Sequence, residues 1–247
     1  MIKGILFDKD GTLVDFFSLW LQAALEVTPV FLAENQIRAD DAMVSYVMEA
    51  MGVEGGKVDP RGALAYKSYQ EIAEDLCQAL AKKGYHVDPA LAQEQLERLF
   101  DQSVTGKNVN FTQLADLRQV LRNLKARGIC VGLATADTMR SAKSCLKTLG
   151  TYRDFDYIGA DDGVKRPKPE ADMFLEFQQK FHLEPSQIAV VGDTYNDVVF
   201  ARNNGGIAIG VLSGVSSEED FRGEADYVLQ SVQELPALLD RIQDTRH

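Results

Sequence analysis

Ile5-Leu6-Phe7-Asp8-Lys9-Asp10-Gly11-Thr12-Leu13 is the stretch on which the fold of this chain turns. Residues 2–7 form a short apolar run, the length of one buried strand. Two aspartates follow, one residue apart. Side chains two positions apart in extended chain point the same way, so Asp8 and Asp10 are expected to aim at one point just past the strand's carboxyl end. Lys9 between them is expected to face the opposite way, in a structural or peripheral role. Gly11 and Thr12 then turn the chain. Paired carboxylates repel, and burying them is unfavourable unless positive charge sits between them. A hard divalent cation meets that need.

Downstream of this stretch the pattern changes. Residues 16–35 read as a helix, with Leu19, Trp20, Ala23, Ala24 and Val27 near helical spacing and Pro29 placed to kink or split it. Residues 40–51, 63–81 and 89–100 read as further helices, the last with Pro89 at its start. Residues 52–62 read as a loop containing Gly55-Gly56. Nearly a hundred residues pass without a strand, which predicts an all-helical insert. From residue 114 onward apolar runs alternate with helical patterns. Helices are expected over 114–127, 138–149, 171–181, 195–204 and 232–242, and strands over 129–134, 155–158, 188–191, 206–211 and 227–229. Continuous apolar strands alternating with helices predict an α/β fold, a parallel sheet covered on both faces. Ligands in such folds bind at the carboxyl ends of the strands.

Composition sets the outer bounds. The 247 residues are 45% hydrophobic and 26% charged, which suits a globular chain of one or two domains. A formal net charge of -11 argues against binding to nucleic acid or an acidic membrane surface, both of which need basic surface. Cys77, Cys130 and Cys145 are odd in number and form no metal-type cluster, so no disulfide framework is expected. With no signal-peptide pattern and no apolar run of membrane-spanning length, the expected setting is cytoplasmic.

A second acidic cluster, Gly192-Asp193-Thr194-Tyr195-Asn196-Asp197, leaves the apolar run that begins at Ile188. Asp197 lies one helical turn after Asp193, so both can face the same point. With Asp8 and Asp10 this gives four carboxylates at two strand ends. Asp193 alone would be an ordinary helix N-cap; two such clusters after two buried strands point to a site. Thr135 ends the run from Val131 and offers a hydroxyl and backbone amides to an anion, although an N-cap role is equally in keeping with its place. The loop Val164-Lys165-Arg166-Pro167-Lys168-Pro169-Glu170 is basic in an acidic chain, and a lysine there can balance carboxylates or hold a phosphate.

Taken together, Asp-x-Asp-Gly-Thr after the first strand, Thr after the second, Lys-Pro before a helix and Gly-Asp-x-x-x-Asp after a later strand resemble the haloacid dehalogenase superfamily. The helical insert resembles that superfamily's cap, as in phosphoglycolate phosphatases and beta-phosphoglucomutases. The resemblance implies a Rossmann-like doubly wound core formed by residues 1–15 and 113–247, and a helical cap formed by residues 16–112. It implies a magnesium-dependent phosphatase acting on a small phosphorylated metabolite, with 2-phosphoglycolate the first candidate, as a monomer or homodimer. Asp8 would be the nucleophile. Asp10 would protonate the leaving alcohol and then activate water. Thr135 and Lys168 would bind the phosphoryl group. Asp8, the backbone carbonyl of Asp10, Asp193 and Asp197 would hold the metal.

Departures from the pattern leave questions for the structure. Asp137 follows the motif threonine by two residues, where an acid close to an anion must turn away or pair with a base. Arg166 rivals Lys168 for the basic position, although Lys168-Pro169-Glu170-Ala171-Asp172-Met173-Phe174 fits the family pattern better. Lys57 and Arg61 in the glycine-rich loop are candidates for substrate specificity and equally candidates for solvated surface charge. Phe16, Phe17 and Trp20 are expected either at the pocket or in the core. The rival functions are a phosphomutase of the beta-phosphoglucomutase type, a dehalogenase, which the second acidic cluster disfavours, and a non-catalytic binding protein on the same fold.

Overall fold

The computed structural model describes residues 1–15, 17–59, 61–105, 111–161 and 163–244. The chain divides into two compact units, Met1–Phe16 with Phe111–His247, and Phe17–Asn110.

In chain order the first unit opens with β1 (Gly4–Phe7). The second unit follows. It begins with a π-helical turn over Phe17–Leu21 and continues through α1 (Gln22–Glu34) and α2 (Asp41–Ala50). Next come β2 (Val53–Glu54), β3 (Lys57–Val58), α3 (Ala63–Tyr66), α4 (Tyr69–Lys82) and α5 (Pro89–Thr105). The first unit then resumes with α6 (Leu117–Ala126), β4 (Cys130–Thr138), α7 (Met139–Thr148), β5 (Tyr157–Asp161) and α8 (Asp172–Phe181). It closes with β6 (Ile188–Gly192), α9 (Tyr195–Asn203), β7 (Ile207–Val211), α10 (Glu218–Phe221), β8 (Tyr227–Leu229) and α11 (Leu235–Asp244).

The six strands of the first unit pair in parallel in the order β5-β4-β1-β6-β7-β8. Alternation along β1 divides its side chains between two cores. Ile5 and Phe7 join Val131, Leu133, Ala189 and Val191 against Leu121 of α6, Leu146 of α7 and Leu238 of α11. Leu6 joins Val190 on the other face, against Phe174 and Phe177 of α8 and Phe200 of α9. This is the doubly wound α/β architecture that the continuous apolar runs predict. After β1 the chain fills the sheet toward β5, and from β6 it fills the opposite side. The carboxyl ends of β1 and β6 therefore flank the point where the winding reverses, where such folds bind ligands.

The second unit packs around Trp20, Tyr69 and Phe100, whose rings lie 5.6 and 5.8 Å apart with Phe100 in the middle. Trp20 is thus a core residue; Phe16 and the side chain of Phe17 lie outside the described residues. Ser68 and Glu71 form a reciprocal capping box at α4, and the Asp40 carboxylate accepts from the Met43 amide to start α2.

Several boundaries differ from expectation. The insert is not wholly helical, because Val53–Glu54 and Lys57–Val58 pair antiparallel. Gly55 and Gly56 both have positive φ, 57° and 76°, which permits a tight hairpin turn inside the stretch expected as loop. Pro29 neither ends nor splits α1. The helix expected from residue 114 starts at Leu117, where the Asp116 carboxylate accepts from the Gln119 amide. β4 runs past Ala134 to Thr138, so the N-cap of α7 is Thr138, whose hydroxyl accepts from the Ser141 amide, and not Thr135. Among the described residues, no helix is long and apolar enough to cross a membrane.

Candidate active site

Strand register assembles the site. Phe7 pairs with Leu133 on one side and Val191 on the other. The residues that follow each, Asp8, Ala134-Thr135 and Gly192-Asp193, therefore emerge side by side at one rim. The Asp8 amide donates to the Val191 carbonyl at 2.8 Å, the last ladder bond before the chain leaves the sheet. Beyond it the Leu13 and Val14 amides both donate to the Lys9 carbonyl, so the backbone coils back on itself.

Lys168 is the hub of the acidic cluster. The residue is 6% exposed, and its ammonium donates to Asp8 Oδ1 at 2.7 Å and Asp197 Oδ1 at 2.5 Å. The Asn196 amide group donates to the Lys168 carbonyl and secures the loop. Arg166, by contrast, is exposed and pairs with Asp172 and Glu170, at 2.6 and 3.1 Å. The hydrogen bond to Asp172, with the charges of Asp172 and Glu170, raises the guanidinium pKa, and Arg166 in turn lowers that of Asp172. Of the two basic candidates, only Lys168 reaches the carboxylates. Arg166→Ala is expected to leave kcat/KM within about threefold and the melting temperature nearly unchanged, as for other exposed pairs; steady-state kinetics and thermal melting check this.

Asp197 serves two neighbours. Its second oxygen accepts from the Thr194 amide and hydroxyl, at 3.1 and 2.6 Å, closing the capping box of α9. Asp193 accepts from the Val215 amide at 2.9 Å and from the Thr12 hydroxyl at 3.4 Å. Gly11, at φ 76°, passes so close that a Cβ there would lie 2.2 Å from Asp193 Oδ2. The three carboxylates Asp8, Asp193 and Asp197 each offer an oxygen within 4.8 Å of the others. Burial raises the Asp8 pKa from 3.8 to about 7 despite Lys168, with the charges of Asp197 and Asp10 adding to the rise. Burial, with Asp8 and Asp197 nearby, also raises Asp193 well above the ordinary range. The one ammonium among these three acids stays protonated, because the acids outweigh its desolvation. Hard oxygen donors with an uncompensated negative excess fit a divalent cation such as magnesium.

This arrangement has a pH signature. Asp8 holds its proton more tightly folded (about 7) than unfolded (3.8), so without a cation the chain loses stability as pH rises between those values. A bound cation needs ionised carboxylates and offsets their repulsion. Added magnesium is therefore expected to raise the melting temperature by about 3 °C or more near pH 8 and by much less near pH 5. Equal shifts at both pH values would argue against these carboxylates as ligands.

Asp10 departs from expectation. Strand alternation ends at Phe7, and the coil that follows points the Asp10 carboxylate at the Lys9 ammonium, 2.9 and 2.8 Å from its two oxygens. It is not a member of the Asp8 trio, although its charge is felt there. Lys9 does not face away as expected. It is fully buried and also faces Asp137 at 3.0 Å. Asp137 has thus found a base. Thr135 is buried, and its hydroxyl accepts from the Asp137 amide at 3.1 Å. Lys57 lies exposed on β3, and Arg61 is exposed beyond it, its amide on the Asp59 carboxylate. Thr12, Asn196 and the pairing of Lys9 with Asp137 were missed from sequence. The threonine two residues before Asp137 and the lysine between the first two aspartates were the available signals.

Comparison with known proteins agrees with this geometry. Residues 2–205 match the family model for haloacid dehalogenase-like hydrolases. A phosphoglycolate phosphatase of Shigella boydii is 28% identical over 243 residues, covering 96% of this chain and 92% of that one. A crystal structure of a beta-phosphoglucomutase from Clostridium difficile superposes with a TM-score of 0.69 at 17% identity, covering 99% of both chains. A predicted phosphoglycolate phosphatase of Haemophilus somnus gives a TM-score of 0.72 at 19% identity, covering 96% of this chain and 98% of its own. The chain belongs to the haloacid dehalogenase-like hydrolases. Within that family it is an enzyme of the phosphatase kind.

Proposed function

We propose that this chain is a magnesium-dependent phosphatase that hydrolyses a small phosphomonoester through an aspartyl-phosphate on Asp8. The observation that carries the reading is the buried contact of Asp8 with the Lys168 ammonium beside Asp193 and Asp197. A carboxylate is a weak nucleophile toward a phosphate dianion, and adjacent positive charge removes the repulsion between them. Magnesium, held by Asp8, Asp193, Asp197 and the Asp10 carbonyl, would supply further charge neutralisation at the phosphoryl oxygens.

Asp8 attacks phosphorus in line as the ester bond breaks, and Asp10 gives its proton to the departing alkoxide. Asp10, now a carboxylate, takes a proton from water as that water attacks the aspartyl-phosphate. Inorganic phosphate leaves and Asp8 is restored. Lys168 and the Thr135 hydroxyl hold the phosphoryl oxygens. The insert of residues 17–110 acts as a cap that excludes water and selects the substrate, with Lys57 and Arg61 its candidate anion contacts.

Phosphoglycolate is the first substrate to test, because the Shigella boydii relative bears that name. The three described cysteines are free thiols, which suits the proposed cytoplasmic setting. Phosphate release from a panel of small phosphomonoesters, with and without magnesium, tests the reading. Magnesium-dependent release ranked toward one small acid or sugar phosphate is expected. Absence of release from every ester by folded, magnesium-replete protein would overturn it.

A further inference from the structure

Each aspartate of the opening motif has its own buried lysine. Asp8 contacts Lys168, and Asp10 contacts Lys9. The second pair is unusual in its construction. Lys9 has no exposed surface, and a buried ammonium persists only where carboxylates or other acceptors surround it. Here two do, Asp10 and Asp137. Asp137 is itself fixed at the end of β4. One of its oxygens accepts from the Thr138 amide at 2.7 Å, and its own amide donates to the Thr135 hydroxyl. Its other oxygen takes no hydrogen bond and faces the Lys9 ammonium at 3.0 Å. Asp10, in contrast, sits on the coil after β1 with its side chain 14% exposed. A carboxylate there has a broad choice of side-chain torsions. The ammonium lies astride both of its oxygens and restricts that choice.

We propose that Lys9 and Asp137 are positioning residues that hold the Asp10 carboxyl in one orientation for proton transfer to the leaving group. The pair anchors Asp10 to β4 and keeps it from being drawn into the Asp8–Lys168 cluster. The proposal rests on the reading of Asp10 as the general acid. Neither Lys9 nor Asp137 is assigned a contact with the phosphoryl group; they act through Asp10.

Such a role has a readout that loss of packing lacks. A poor leaving group needs a well-placed proton donor, and a good one does not. Phenyl phosphate and dinitrophenyl phosphate differ in this respect while sharing the phosphoryl group. The comparison is made on kcat/KM, which ends at departure of the leaving group and excludes later hydrolysis of the aspartyl-phosphate. Lys9→Met and Asp137→Asn are expected to lower kcat/KM for phenyl phosphate on the order of 30-fold and for dinitrophenyl phosphate by about threefold or less. Asp10→Asn, measured alongside, is expected to show the same selectivity more strongly. Asp137→Asn keeps the volume and the acceptor for the Thr138 amide, so it carries the test where Lys9→Met does not fold. If Asp10→Asn is selective while the Lys9 and Asp137 variants lower both esters alike, or neither, the positioning role is overturned and the acid assignment stands. If Asp10→Asn is itself unselective, the acid assignment fails and the proposal with it.

Discussion

Asp8→Asn is expected to reduce phosphate release from every phosphomonoester on the order of 10⁴-fold or more, with the fold intact. The amide is nearly the same size as the carboxylate, so β1 and its ladder bond to Val191 are undisturbed. What is lost is the oxygen nucleophile, and removing a nucleophile collapses the whole covalent route rather than one contribution to it. The same change removes one charge from the cluster of Asp8, Asp193 and Asp197 and leaves Lys168 paired with Asp197, so the variant should be at least as stable as the parent without magnesium. Turnover and melting temperature measured on one preparation check both halves. A variant as active as the parent would show that Asp8 is not the nucleophile.

Lys168→Met carries the second largest effect, a loss in kcat/KM of about 10³-fold, the scale of removing one preorganised charge from a phosphoryl or oxyanion site. Stability falls as well, because Asp8 and Asp197 lose the ammonium they share at 2.7 and 2.5 Å. Breaking a buried pair from one side costs about 3–5 kcal/mol. The orphaned carboxyls can relieve that by taking up protons, so the deficit should be larger near pH 8 than near pH 5. Lys168→Arg should not restore activity, since the broader guanidinium does not fit a site built around one ammonium. Kinetics with thermal melts at both pH values test this. A fully active Lys168→Met would transfer the role to another cation.

The sheet was legible in the sequence because its strands are buried on both faces. Runs such as Ile188-Ala189-Val190-Val191 have no polar alternation to confuse with a helix. Strand ends then located Asp8 and Asp193 without reference to side-chain contacts. The reach of alternation was overestimated at Asp10, because the period of two holds only while the chain is extended, and here it coils immediately after Asp8. Thr135 reads as the residue that ends its strand, with an N-cap role open to it, although the helix itself is expected from residue 138. The strand runs on to Thr138 through a shift in register, and Thr138 is the cap, at the expected start of the helix. The choice between Lys168 and Arg166 was left open by local spacing. It depends on which side chain is carried inward to Asp8, a contact 160 residues away in sequence. The Gly55-Gly56 hairpin was a detectable signal that a broad loop assignment concealed.

The most direct test of the covalent route uses the two lysines that bracket Asp8 in sequence. Borohydride reduces an acyl phosphate to the alcohol, so quenching the enzyme during turnover would convert a phosphorylated aspartate to homoserine. Trypsin cleaves after Lys3 and Lys9, which separates Asp8, in the peptide from Gly4 to Lys9, from Asp10 at the start of the next peptide. Homoserine in the Gly4-to-Lys9 peptide, dependent on both substrate and magnesium, is the expected result. Homoserine in the peptide beginning at Asp10, or in neither peptide during vigorous turnover, would contradict Asp8 as the nucleophile.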